Sequence, residues 1–291
     1  MHQYLNAIGF GNITDKNELN EILEDIEHSF TRHNLITLSQ NMDFCGYLRE
    51  YGEKMGIVLY GDMDIQDQFK RLYYLPYLEG TGVTSYADVC IERRIDREAY
   101  VGICEDVKVG ISLIFSLQNT IEYLEEKQLS GRGVKYTSVT LAGLANEGTI
   151  LLPVLKSKEQ TKRQMEESRN RMLLQSAARS GDQTAIESLT LDDIDTYSKV
   201  SKRLVKEDLF SIVDTYIMPY GIECDRYSIL GEILDLEIVK NEYTEEDIYI
   251  MRLDVNELQF DVCVPARSLT GEPAPGRRFK GNIWMQGRVN F

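Results

Sequence analysis

The sequence predicts an α+β fold that ends in a small β-barrel, and three observations carry this. Between residues 57 and 155, strand-like runs follow one another in consecutive hairpins. A Lys/Glu/Gln/Arg-rich stretch that is nearly free of Gly and Pro comes next and reads as helix. Residues 207–291 then hold five further strand-like runs, the content of a small closed or half-open barrel. The expected organisation is an α+β domain over 1–155, with an antiparallel sheet, a helical hairpin over 156–206, and a five-stranded barrel-like domain over 207–291.

Asp15 to Phe30 is predicted as an amphipathic helix. Asp15 and Glu18 have capping-box spacing, and Leu19, Ile22, Leu23 and Ile26 share a face. Asp43 to Met55 reads as a second helix, ending near Gly56. Strands are expected at Ile57–Tyr60, at Arg71–Leu78 with Pro76 marking an edge, and at Tyr86–Arg93 and Glu98–Cys104 around a turn at Ile95–Arg97. Val107–Phe115 alternates apolar and polar with a period of two. Thr120–Gln128 reads as helix. Val134–Leu144 and Thr149–Leu155 read as a hairpin turning at Asn146–Gly148.

The helical hairpin is expected as one helix from Lys156 to Ser180, stopped by Gly181. A second runs from about Thr190 to Lys206, with Asp192, Asp193 and Asp195 in its first turn. Leu209–Ile217, Tyr227–Val239, Ile248–Val255, Leu258–Val264 and Arg278–Phe291 are the five barrel strands. Asn256–Glu257 is the tight turn between the third and fourth.

Composition narrows the function. The chain has 291 residues, a formal net charge of −15 and a pI near 4.8, which disfavours nucleic acid as a partner. No apolar run is long enough for a membrane span. The start, MHQYLNAIGF, lacks the basic and apolar regions of a signal peptide, so a cytoplasmic protein is expected. Cys45, Cys90, Cys104, Cys224 and Cys263 are scattered, as in proteins of a reducing compartment.

The last strand carries the most distinctive pattern. Phe279, Gly281, Ile283, Met285, Gly287, Val289 and Phe291 form an apolar or Gly face. Lys280, Asn282, Trp284, Gln286, Arg288 and Asn290 form a polar face holding the chain's one Trp. From Arg267 onward there are five basic residues against one acid, Glu272. An outward indole between Lys280 and Arg288 would be a stacking platform for a partner. The alternative is that another element covers it. The candidate contact residues are therefore Arg277, Lys280, Trp284, Gln286 and Arg288, with a protein as the expected partner.

Three segments, GEPAPGRRFKGNIWMQGRVNF, YADVCIERRIDREAYVG and VGISLIFSLQNTIEYL, resemble an uncharacterised family of clostridial proteins, a domain of unknown function. The resemblance spans nearly the whole chain. It implies a cytosolic bacterial protein with no established activity, and it transfers no functional residues.

Catalytic signatures are absent from the sequence. His2, His28 and His33 are its only histidines, and no third group is fixed near Cys45 to build a Cys-His arrangement. Gly9-Phe10-Gly11 follows a short helix and lacks the third Gly of a dinucleotide fingerprint. Lys156, Lys158, Lys162, Arg163, Arg169, Arg171 and Arg179 are mixed with Glu residues, as on a solvated helix face. In GDMDIQD, Asp62 and Asp64, with Asp67 close by, are candidate Mg²⁺ or Mn²⁺ ligands at a strand end. A polar turn and helix start is the competing reading. The leading expectation is a non-enzymatic binding or adaptor protein without a cofactor. The alternatives are a metal-dependent enzyme using Asp62 and Asp64, and a weak single-stranded nucleic-acid binder.

Overall fold

The computed structural model describes residues 2–39, 42–94, 99–130, 134–154, 158–204 and 209–291. A 3-10 turn, Gln3–Ile8, precedes α1 (Lys16–His28) and the strands β1 (Arg32–Ser39), β2 (Met42–Gly52), β3 (Met55–Asp64) and β4 (Phe69–Leu78). Then come β5 (Val89–Arg93), β6 (Tyr100–Cys104), β7 (Leu113–Leu117), α2 (Thr120–Ser130) and β8 (Ser138–Leu151). The helices α3 (Lys158–Arg179), α4 (Gln183–Leu204) and α5 (Leu209–Ile212) follow. The chain closes with β9 (Tyr216–Pro219), β10 (Arg226–Lys240), β11 (Asp247–Val255), β12 (Leu258–Pro265), β13 (Leu269–Thr270) and β14 (Arg278–Asn290), with a 3-10 turn at Ala266–Ser268.

Strands β1 to β4 form an antiparallel meander. The second sheet closes on itself in the order β8–β12–β11–β10–β14–β8, a five-stranded barrel in which only β8–β12 is parallel. The three-stranded array β5–β6–β7 is attached through β7, which runs parallel to the end of β14. The protein is α+β with a closed barrel, as the sequence predicts.

Strand β14 is paired on both edges. Along one it follows β8 from Arg278↔Leu151 to Asn290↔Ser138. Along the other it pairs with β10 up to Arg226↔Trp284, then with β7 at Gln286↔Ser116 and Gly287↔Leu117. Its apolar face fills the barrel: Phe279, Ile283, Met285 and Val289 are fully buried, in one cluster with Met251, Phe260 and Val262. This bears out the inward set read from the period of two except for Phe291, which lies beyond the strand and is 43% exposed.

Several predicted elements hold. In α1 the Asp15 carboxylate accepts a hydrogen bond from the Asn17 amide at 2.9 Å, and Leu19, Ile22, Leu23 and Ile26 are buried. Asn256 and Glu257 both have positive φ, 52° and 65°, as a tight hairpin turn requires. Gly181, at φ 91°, ends the helical segment of α3, and Asp182 caps α4 through the amides of Thr184 and Ala185.

Other elements are corrected. The segment Asp43–Met55 is strand β2 and the turn after it, not helix. Its neighbours β1 and β3 supply hydrogen bonds along both edges, and sheet pairing overrides local helix preference. The run Val107–Phe115 becomes a strand only at Leu113. Before that, buried Asp106 captures the Lys108 amide at 2.9 Å and the Ser85 hydroxyl at 2.6 Å, which bends the chain into a turn. The expected hairpin at Asn146–Gly148 is a single strand, β8. Gly148 pairs Gly281 and Ala145 pairs Ile283, so β8 carries two residues opposite the single Asn282, a bulge.

The segment Leu209–Ile217 is the helix α5 and the start of β9 rather than a barrel strand. The barrel's fifth strand is β8, which precedes the helical hairpin in the chain. Helix α4 starts at Gln183 and not near Thr190, so Asp192, Asp193 and Asp195 lie in its middle. The turn expected at Ile95–Arg97 lies outside the described residues, as do Lys156 and the side chains of Lys158, Lys162, Arg163 and Arg179. Arg169 is exposed, and Arg171 pairs with Asp193 at 2.7 Å.

Close strand contact at the β2–β3 turn sets one prediction. A Cβ on Gly56 would lie 2.1 Å from the Arg49 carbonyl oxygen, a backbone atom that cannot swing aside. Gly56→Ala is expected to cost about 1–3 kcal/mol in urea unfolding. An unchanged midpoint would contradict this packing.

Candidate functional site

The outer face of β14 does not present a row of exposed side chains. Trp284 is 5% exposed. The N-terminal segment lies over it: the His2 ring centroid is 4.6 Å from the indole, and Tyr4 stacks on it at 5.8 Å. The indole Nε1 donates to Asp225 at 2.9 Å, and the same buried carboxylate pairs with Arg94 at 3.0 Å. The segment is anchored by polar links, with Asn6 donating to the Asn146 carbonyl, Asn146 to the Gln3 carbonyl and Asn241 to the Ile8 carbonyl. The expected outward indole is thus corrected: a large aromatic surface is more stable covered, and the first residues of the chain cover it.

Gln286 is also buried, at 2% exposure. Its amide donates to the Pro76 carbonyl at 2.6 Å and accepts from Leu78 and Gln118. It ties β14 to the free edge of β4, the edge that Pro76 marks. Lys280 is half-buried, with its ammonium 4.5 Å from the centre of the Phe210 ring. Arg277 bonds to Glu272. Arg278 buries its guanidinium against the carbonyls of Leu152, Val213 and Phe210, and that burial lowers its pKa. Arg277, Lys280 and Trp284 therefore do not converge.

Arg288 does reach a cavity. One face of the β1–β4 sheet contributes Arg32, Leu48, Val58, Tyr60 and Tyr77. The start of α2 contributes Ile121 and Glu122, with Gln118 and Asn119 just before it, and β14 contributes Arg288. This open cleft has a volume of about 210 Å³. Burial fixes its walls, since Ile121, Tyr60 and Leu48 belong to the main apolar cluster. The Tyr60 hydroxyl donates to the Gln118 carbonyl at 2.8 Å and locks the sheet to the entry of α2.

The two guanidiniums are held differently. Arg32 makes tight pairs, 2.7 Å to Glu50 and 2.6 Å to Glu79, and sits 5.9 Å from the Tyr77 ring centre. Among the described residues, Arg288 has only long pairs, 3.7 Å to Glu79 and 3.7 Å to Glu122, and its buried Nε finds no hydrogen-bond acceptor. Glu79 is shared by both cations. Burial, with the Glu79 charge next, pushes the Tyr77 phenol up to about 12, and burial raises Tyr60 further. Both hydroxyls therefore stay protonated at neutral pH.

The acidic loop has a structural role. Asp64 Oδ1 accepts from the amides of Gln66 and Gln68, at 2.8 and 2.9 Å, and closes the β3–β4 hairpin. No helix starts there. Asp62 lies opposite Lys70 in the strand pairing. Among the described residues, no group of three or more His, Cys, Asp or Glu side chains is placed to hold a metal ion. Cys45 is buried, and its thiol is pushed up to about 11 by burial, with Asp43 and Asp62 adding to the effect. His33 is exposed, beside Phe30.

Sequence reasoning found Arg288 but missed Arg32, Tyr60, Tyr77, Glu79 and Glu122. They come from β1, β3, the end of β4 and α2, and no local motif links them. The spacing of Tyr60, Tyr73 and Tyr77 in tyrosine-rich strands was the available signal.

The fold and cleft define an α+β protein with a closed barrel and an ion-paired pocket beside it. The chain belongs to the family described as "Domain of unknown function, E. rectale Gene description (DUF3881)", whose model matches residues 5–287. No curated protein and no solved structure matches it. Among the described residues, no helix is long and apolar enough to cross a membrane.

The covered indole sets a prediction. Trp284→Ala is expected to destabilise the protein by about 3–5 kcal/mol in chemical unfolding. A loss under about 1 kcal/mol would show that the ring faces water.

Proposed function

We propose that this is a non-enzymatic binding protein whose ligand enters the cleft at the end of β14, between Arg32 and Arg288. The ligand class we favour is a small carboxylate with a compact apolar body. The observation that carries this is the state of Arg288: a guanidinium at a cavity wall, with long ion pairs and a buried Nε lacking an acceptor. A carboxylate is the planar acceptor that a guanidinium fork fits. Leu48, Val58, Ile121 and the two tyrosine rings offer apolar walls for the remainder. Glu79 and Glu122 already offset much of the positive charge, which disfavours polyphosphates.

The cleft's tyrosines, held protonated by burial, serve as hydrogen-bonding walls rather than as bases at pH 7, and His33 lines the cleft beside Arg32. A cytoplasmic location is supported by five cysteines without a disulfide. The acidic net charge disfavours nucleic acid.

Calorimetry with benzoate and isovalerate is the test. Saturable binding is expected in the wild type, weakened about tenfold or more in Arg288→Ala and only partly restored in Arg288→Lys. Absence of binding by either probe, or equal binding to Arg288→Ala, would refute this reading.

A further inference from the structure

We infer that the α3–α4 hairpin is a self-association surface, on which the hairpin of a second copy of this chain packs to make a four-helix bundle. The hairpin is a specified structure. Two helical segments of 22 residues, each about 33 Å long, are joined by a turn of defined geometry. Gly181 takes the left-handed conformation that ends α3, the Asp182 amide bonds back to the Ala177 carbonyl, and Asp182 caps α4. Among the described residues, α3 packs chiefly against α4, and α4 packs further against α5.

This pair leaves apolar surface in water. Leu173, Leu191 and Ile194 are 64%, 67% and 57% exposed, and Ile186 is 40% exposed. On α4 the one fully covered side chain among the described residues is Ala185. At about 100° per residue, Ile194 projects about 180° from Ala185, and Leu191 lies about 60° from Ile194. Helix α4 therefore carries apolar residues on opposite sides, and a single neighbouring helix covers one side only. In a four-helix bundle a second neighbouring helix packs about a quarter-turn round α4 from the first, which covers the Leu191 side and borders Ile194.

Charge identifies the occupant as another copy. The sequence of α3 has six basic and three acidic residues, whereas residues 183–196 of α4 have four acids and no base. Within one hairpin these opposite signs already meet at Arg171–Asp193, 2.7 Å apart. A two-fold axis would set the basic α3 of one copy against the acidic part of α4 of the other, twice, because such an interface contains both halves of its own complement. The net charge of −15 opposes association elsewhere on the surface, so it selects for contact where the signs alternate.

The test is sedimentation of the full chain from about 1 to about 100 μM. A dimer of twice the 33.4 kDa chain mass is expected, weakened by salt. Leu191→Glu with Ile194→Glu is expected to give monomer throughout, with an unchanged β-sheet circular dichroism signal. Leu129→Glu, at an 81% exposed position on α2, is the control and should leave the dimer intact. A wild type that stays monomeric at the highest concentration overturns the inference. So does a double variant that dimerises like the wild type, or dissociation by Leu129→Glu.

Discussion

Hydrogen bonding along both edges of β14 is the constraint from which the rest of the structure follows. A strand paired on both sides leaves no polar backbone edge open, and here the two sides lead to different parts of the fold. The β8 side and the first part of the β10 side close the barrel. Where β10 leaves, β7 takes over and brings β5 and β6 with it. Side chains of the same strand extend the links. Arg278 gathers carbonyls from α5, the residue after it and the end of β8. Trp284 receives the N-terminal turn, and Gln286 joins the meander sheet at Pro76 and Leu78.

This arrangement explains where a cleft can form. Gln286 holds β14 to the meander sheet, and the cleft lies between that sheet, the start of α2 and the end of β14. Arg288, two residues farther along, projects to the cleft. Its partners Glu79 and Glu122 arrive from the end of β4 and from α2, and neither approaches closer than 3.7 Å. Strands fix the geometry of this pocket on most sides, which favours a preformed site over one assembled from loops.

Much of the fold was legible wherever local pattern and tertiary need agree. The alternation in Arg278–Asn290 gave the buried face of β14, and the apolar spacing of Leu19, Ile22, Leu23 and Ile26 gave the buried face of α1. Reading failed where a distant segment decides. Nothing near Trp284 announces that His2 and Tyr4 cover it, from more than 270 residues away. Asn146–Gly148 is a turn signal by composition, yet in β8 it marks a bulge that fits the strand to β14. The Asp43–Met55 segment has helix formers such as Leu48, Arg49 and Glu50, and only the strands on either side make it a sheet element. The cleft was illegible for the same reason, since Arg32, Glu79 and Arg288 meet only after both sheets are in place.

The role of β14 as the strand common to both halves is tested most directly by native-state hydrogen exchange of the full chain. The Ile233 amide bonds to the Arg277 carbonyl at the start of β14, and the Gln118 amide bonds to the Gly287 carbonyl at its end, both at 2.8 Å. If β14 joins these regions into one cooperative unit, the two amides open with the same free energy, equal to that of global unfolding. Exchange of Gln118 and the β5–β7 amides through a separate, lower-energy opening, while Ile233 and the barrel stay protected, would contradict the account.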